Sequence, residues 1–256
     1  MSAQQKISVQ PSTRPFTLRE PAHEPARMGA LRTAPRRSAA YASPAARPQA
    51  PATPWCDRAI RVLDVMGALA GLVLAAPVLA VLALLIARDG GPVLFGQIRV
   101  GRNGQGFRCL KLRSMAADAE ARLASVLDSD PAAAAEWAAS RKLKNDPRIT
   151  RLGHFIRKTS LDELPQLWNV LKGDMSLVGP RPVVPDEIGM YGAAAADYMA
   201  VRPGLTGLWQ VSGRSDCDYD TRIALDTEWT RSRSITRYLS IVLRTVPAVL
   251  TRQGAC

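Results

Sequence analysis

The chain's 256 residues leave room for one good-sized domain plus appendages, and its formal net charge of +12 calls for an anionic partner. Aromatics make up 5%, and no basic stretch interleaves with stacking residues, so a nucleic-acid partner is not expected. Four separated cysteines (Cys56, Cys109, Cys217, Cys256) show no CxxC spacing and have only His23 and His154 for company, which argues against a zinc site and fits a reducing compartment.

Nine of the 19 prolines lie before Trp55, together with eight Lys/Arg against Glu20 and Glu24 and few large aliphatics. Such a stretch cannot bury enough apolar surface to offset the entropy of ordering it, so residues 1–54 are expected to be a disordered basic tail. No apolar stretch follows the start, so no cleaved signal peptide is expected.

Residues 55–89 form the next unit. From Val65 to Ala87 the chain runs 23 residues without a charge. At about 1.5 Å per residue such a helix just covers a hydrocarbon core of about 30 Å. The run is apolar all round rather than striped, which favours lipid over the core of a soluble domain. Pro77 sits in the middle and predicts a break, because it removes one backbone donor and pushes the preceding turn aside. Arg58 and Arg61 precede the run and Arg88 follows it, so the positive-inside bias either gives no orientation or puts both ends in the cytoplasm. A re-entrant helix kinked at Pro77 satisfies both facts, and a kinked full span fits as well.

Residues 90–256 have the texture of a soluble domain. Val93–Val100 and Phe107–Met115 are rich in β-formers, and Asn103-Gly104 between them is a hairpin signal because both positions accept positive φ. Alternation places Lys111 and Arg113 on one face of the second strand. Ala116–Leu127 and Ala133–Leu143 read as peripheral helices. Leu152, Phe155 and Ile156 keep helical spacing, which leaves Arg148, Arg151, Arg157 and Lys158 on polar surface. Ser160-Leu161-Asp162-Glu163 precedes a helix with apolar positions Leu164, Leu167, Trp168 and Leu171 and a stop at Lys172-Gly173.

Taken alone, Ser160-x-x-Glu163 is a capping box, with acids in a first turn complementing the helix dipole. Pro165 fits that poorly, since its missing N–H would fall inside the helix. The neighbours favour a site: Arg157, Lys158, Lys172 and Arg181 surround the two carboxylates, and a rigid Gly179-Pro180-Arg181-Pro182 loop follows. Cations around acids suit a phosphate and a magnesium ion. The Gly-rich stretch Arg202–Arg214 is either a phosphate or nucleotide loop or an irregular connection, and it is not a P-loop. Ile235–Leu250 sets Leu239, Val242, Leu243, Val246 and Leu250 against Arg237 and Arg244. That basic amphipathic helix can lie in a membrane interface or pack on the domain.

KLRSM, NDPRITRLG, SLDELPQLWNVLKGDMSLVGPRP and RPGLTGLWQVSGR, in this order after one hydrophobic helix, resemble the bacterial sugar transferases, the monotopic polyprenyl-phosphate phosphoglycosyl transferases. The resemblance covers Trp55 to Cys256. It implies an α+β fold: a mainly helical membrane-associated domain with a small β-hairpin, a re-entrant helix broken at Pro77 and amphipathic interfacial helices. Ala76 stands where some members have serine, so the break rests more heavily on Pro77. The resemblance also implies that Asp162 is the nucleophile on the β-phosphate of a UDP-sugar, such as UDP-glucose or UDP-galactose. UMP leaves, and polyprenyl phosphate then accepts the sugar phosphate. Glu163 would bind Mg²⁺, and Lys111, Arg113, Arg157 and Arg181 would neutralise the phosphates. The short, single-helix type, a bacterial inner membrane location with a cytoplasmic catalytic domain, and exopolysaccharide synthesis follow from the same resemblance. A homodimer is left open. The competing readings are a membrane-anchored basic binding module and a metal-dependent phosphohydrolase.

Overall fold

The structure is a computed structural model that describes residues 53–140, 142–212 and 218–250. The expected tail, up to position 52, lies outside them, as does Arg214. The architecture is mostly helical with two small sheets.

Helix α1 (Pro54–Ala87) opens with proline at its first position, where the missing donor costs nothing. The expected break at Pro77 is not seen: α1 continues as one helix through it. One lost hydrogen bond is offset by packing on both sides of the proline. Before it, Ile60 and Ala68 are buried, and Leu72 packs on the same cluster as Ala68; after it, Leu79 packs against buried Leu82 and Ile86. The opposite face, with Val73, Leu74, Val78, Val81 and Leu84, is exposed. Among the described residues, α1 is the one helix long and apolar enough to cross a membrane.

A hairpin follows, β1 (Leu94–Val100) antiparallel to β2 (Gly106–Leu112), with Val100 opposite Gly106. Its loop closes through the Gly101 N–H to the Gln105 carbonyl at 2.8 Å. Asn103 and Gly104 take φ of 58° and 74°, the left-handed values that few other residue pairs accept. Helices α2 (Ala119–Ser129) and α3 (Pro131–Ser140) pack on each other and bury little. The amphipathic α4 (Arg151–Lys158) is capped by the Thr150 hydroxyl, which accepts from the Gly153 N–H at 2.8 Å. It buries Ile156 completely but leaves Phe155 exposed.

Helix α5 (Gln166–Lys172) stops at Gly173, whose φ is 98°. It buries Leu167 and Val170 and turns Trp168 outward, 57% exposed, against the expectation of an inward tryptophan. Seven residues make only two turns, so one stripe alone can face α1 and β2. Two guanidiniums finish α5: Arg61 of α1 donates to the Val170 and Leu171 carbonyls at 2.8 and 3.0 Å, and Arg202 donates to Gly173 at 2.8 Å. Val170 also accepts the Gly173 N–H at 3.1 Å, and the two cations add donors to the carbonyls at this end and suit the dipole.

Strand β3 (Ser176–Val178) leads through the Gly-Pro-Arg-Pro loop into α6 (Pro185–Ile188) and α7 (Ala195–Ala200). Strand β4 (Gly204–Thr206) pairs with β3 in parallel. The two backbones nearly touch there: a Cβ on Gly204 would sit 2.1 Å from the Gly179 nitrogen, so only glycine fits. Part of the Gly-rich stretch is therefore a strand clamped to the proline-rich loop. The last two helices are α8 (Tyr219–Ser232) and α9 (Ile235–Leu250). The inner face of α9 buries Tyr238 and Ile241, while Leu239, Leu243 and Val246 stay exposed.

Asp64, just before the uncharged run, is 1% exposed and ties three elements together. Its carboxylate accepts from Ser176 Oγ (2.9 Å), the Leu177 N–H (2.8 Å) and Tyr238 Oη (2.9 Å). A buried carboxylate is tolerated only when so satisfied. It anchors the first turns of α1 on β3 and α9.

Candidate functional site

The dyad sits in a tight turn between α4 and α5. Ser160 adopts φ 56°, a left-handed conformation rare outside glycine, and Leu161–Glu163 form a single 3₁₀ turn. The Ser160 hydroxyl makes no capping bond, and α5 starts only after Pro165. The capping-box reading is therefore not what this backbone adopts. The Glu163 carboxylate, which a capping box would turn back to Ser160, reaches across to β2 instead.

There it meets Lys111. The ammonium lies 2.7 Å from Glu163 Oε1 and 3.5 Å from Asp162 Oδ2. Asp162 is buried at 8% exposure, whereas the Glu163 side chain is 39% exposed. Burial pushes the Asp162 carboxyl above its ordinary value, Lys111 opposes that, and the Glu163 charge adds to it. For Lys111, burial alone would lower the value; the Glu163 and Asp162 carboxylates outweigh it and hold the ammonium above its usual range. The result is a recessed carboxylate, a second carboxylate facing outward, and one cation shared between them.

The other expected cations divide. Arg157 Nε donates to Ser114 Oγ at 2.7 Å, and its charge reaches Asp162. Arg181 is exposed on its loop, close enough to Glu163 to feel its charge. Arg113 is not at the dyad. Its guanidinium is taken by Asp89 (2.6 Å from Nη1) and by the Pro92, Met115 and Ile86 carbonyls at 2.6, 3.1 and 3.0 Å. Strand β2 ends at Leu112, so the alternation that would have aligned Arg113 with Lys111 stops one residue too early. Arg113 instead locks the turn after α1, and its pairing pulls the Asp89 carboxyl down to about 2. Pro77 lies within α1.

Sequence reasoning gave no role to Asn169, 2% exposed in α5. Its side-chain oxygen accepts from the Leu110 N–H at 3.0 Å, and its nitrogen donates to the Arg108 carbonyl at 2.9 Å. This amide clips α5 to β2 beside Lys111. Arg222 and Trp209 were also given no role. Trp209 sits inside a quoted motif, so a signal for it existed; a lone Arg222 on α8 offers none.

Among the described residues no three of His, Cys, Asp and Glu converge on one point. The donor set on offer is one or two carboxylates plus whatever oxygens a substrate brings, which is the arrangement magnesium accepts. Residues 55–252 match the model of the bacterial sugar transferase family. The chain belongs to that family. Among relatives of this sugar transferase, a UDP-galactose-lipid carrier transferase of Erwinia amylovora is 51% identical over 195 residues, 76% of this chain and 41% of the relative. The exopolysaccharide production protein ExoY of Rhizobium meliloti is 49% identical over 196 residues, 76% of this chain and 87% of that protein. A UDP-glucose:undecaprenyl-phosphate glucose-1-phosphate transferase of Caulobacter vibrioides is 43% identical over 204 residues, covering 71% of it. The chain thus spans about two fifths of the Erwinia protein and most of the length of ExoY.

Proposed function

We propose that this chain transfers a hexose 1-phosphate from a UDP-sugar to undecaprenyl phosphate, or a similar polyprenyl phosphate, as the first membrane step of exopolysaccharide or related glycan synthesis. The observation that carries the reading is Lys111 held between Asp162 and Glu163: a nucleophile, a phosphate-facing carboxylate and a neutralising cation within reach of one another. The relatives' names support the substrate classes, and they divide between galactose and glucose donors.

In this reading an Asp162 carboxylate oxygen attacks the β-phosphorus of the donor. The bond to the bridging oxygen breaks, and UMP leaves with the electron pair. A polyprenyl phosphate oxygen then attacks the same phosphorus and Asp162 departs as a carboxylate, giving the lipid diphosphate sugar. Splitting one displacement into two is the use of a covalent intermediate. Burial favours attack, because a recessed carboxylate is poorly hydrated, while Lys111 favours its ionised form and offsets developing charge. Arg157 and Arg181 supply further positive potential. Glu163, the more exposed carboxylate, would hold Mg²⁺ with the donor's phosphate oxygens. When bound, the ion would neutralise phosphate charge.

The same reading places α1 in one leaflet of the bacterial inner membrane, with both its ends and the catalytic domain on the cytoplasmic side. Support comes from packing. Ile60 and Ala68 near one end share clusters with Tyr238 and Leu167, and Leu82 and Ile86 near the other share one with Leu112 and Ile156. A straight crossing of about 30 Å would carry one end away from the domain that both ends touch. The exposed Leu239, Leu243 and Val246 ridge of α9 suits the same interface. Transfer of radiolabelled sugar phosphate to polyprenyl phosphate tests the function. Asp162→Asn should abolish it, and undiminished transfer would sink the covalent mechanism. Water accepting the sugar phosphate in place of the lipid would instead mark a phosphohydrolase.

A further inference from the structure

Beside the dyad, two guanidiniums crowd one indole. Arg181 lies 5.6 Å from the Trp209 ring centroid and Arg222 lies 5.2 Å from it, with Arg222 also 5.0 Å from the Tyr219 ring. Aromatic faces attract such cations, but by less than a paired anion does. Neither guanidinium has a carboxylate within ion-pair distance among the described residues, and each feels the other's repulsion. The nearest acid, Asp226, accepts from Tyr191 Oη through Oδ2 at 2.9 Å and feels the Arg222 charge, while its Oδ1 is buried without a hydrogen bond.

The donors here are also unused. Trp209 Nε1, Arg222 Nε and Nη2 and Tyr219 Oη are all buried and make no hydrogen bond. A buried donor left without a partner costs free energy, so native proteins rarely keep one, and here four gather in one cluster. Two cations and four unpaired donors stand against one unpaired oxygen of Asp226, an excess of positive charge and donors that suits an added anion. Arg222 and Trp209 are rigidly backed: Arg222 lies on α8, and Trp209 follows the buried Leu208. Arg181 joins this cluster to Glu163, whose charge it feels.

We infer that Arg222 and Trp209, together with Arg181, form a second phosphate-binding subsite next to the dyad, distinct from the Lys111 position. Its ligand is a phosphate group with at least two free oxygens, one bridging the guanidiniums and one accepting from the indole N–H. The inference rests on the transferase reading for its two sources, the nucleotide or the polyprenyl phosphate. A planar guanidinium grips such oxygens better than an ammonium does.

The test measures binding to the full chain in lipid nanodiscs, so that its failure is separate from failure of the chemistry. Three probes are titrated: UMP, uridine, and a short-chain polyprenyl phosphate. In Arg222→Met one of the two phosphate ligands should bind about tenfold more weakly or worse, with uridine unchanged. The ligand that weakens identifies the source. Arg222→Lys should recover part of the loss, and Trp209→Phe, which keeps the ring but removes the donor, should weaken the same ligand by a smaller factor. Melting curves identify a variant that fails to fold, and Arg222→Lys and Trp209→Phe then decide. Unaltered binding of both phosphate ligands by folded variants, or equal loss of uridine, would overturn the subsite. Asp162→Asn retaining transfer would sink the covalent mechanism and leave this result standing.

Discussion

Asn169 Oδ1 accepts the Leu110 N–H at 3.0 Å, and so the helix that follows the dyad fixes the strand residue next to Lys111. The same amide donates to the Arg108 carbonyl at 2.9 Å. The ammonium is thereby placed over Asp162 and Glu163 by a bond that neither acid makes. Asn169→Ala should cost about 1–3 kcal/mol, because two backbone groups of β2 lose their partner. Transfer activity should fall further than stability alone explains, as Lys111 loses its register. Thermal melts and transfer assays on the same preparation separate the two effects.

Lys111 also sets the ionisation of Asp162. Burial raises the Asp162 carboxyl, and the neighbouring ammonium holds that rise in check. In the proposed mechanism Asp162 must be ionised to attack, so the acid limb of the rate of adduct formation reports this group. Lys111→Met removes the opposing charge, so the limb should move to higher pH and the plateau rate should drop. A limb that stays put or moves to lower pH would show that Lys111 does not act on Asp162.

Asp226 carries a stability signature. Burial raises its carboxyl to about 7, although the Tyr191 bond and Arg222 both pull it down. The folded state therefore holds a proton that the unfolded chain releases near the ordinary value of 3.8. The stability this proton contributes is complete below that value and is lost as pH rises to about 7, in the direction set by proton linkage. The full effect is about 4 kcal/mol at 1.36 kcal/mol per unit. Asp226→Asn should flatten the fall in stability between pH 4 and 7, measured by denaturant melts in detergent.

The two ends of α1 pack on one catalytic unit, which predicts their sidedness. Cysteines introduced at Thr53 and Arg88, both exposed, should react with an impermeant maleimide from the same side of inverted vesicles. The native Cys56 and Cys109 are buried, and Cys217 and Cys256 are replaced by serine beforehand so that only the introduced thiols report. Labelling from opposite sides would establish a full span.

Removing Asp64 tests how α1 is held. Asp64→Ala leaves Tyr238 Oη, Ser176 Oγ and the Leu177 N–H without their acceptor. Each buried donor left without a partner costs about 1–3 kcal/mol. The melting temperature should fall by several degrees or more, with aggregation before any loss of substrate affinity.

What the sequence showed depended on how local the cause was. Asn103-Gly104 announced the hairpin because the need for positive φ lies in those two residues, and Gly173 announced the end of α5 for the same reason. The dyad was visible through its ordered motifs. Non-local effects were not visible. Arg113 went to Asp89, 24 residues away, and Asn169 met β2 some 60 residues away. Ser160 spelled a cap, yet its left-handed backbone turned the hydroxyl away from that role. Phe155 and Trp168 kept helical spacing but face outward, since periodicity shows that a stripe exists and not which neighbour covers it. Pro77 predicted a break by a local rule, and packing before and after it kept α1 continuous.

The central claim is that Asp162 carries the sugar phosphate. Intact-protein and peptide mass spectrometry on the full chain in nanodiscs tests it, with UDP-glucose or UDP-galactose supplied and polyprenyl phosphate withheld. A hexose-phosphate adduct on the peptide containing Asp162, discharged when polyprenyl phosphate is added and missing in Asp162→Asn, is the expected result. Transfer by the wild-type protein with no adduct at any time point, or an adduct that survives Asp162→Asn, would contradict it.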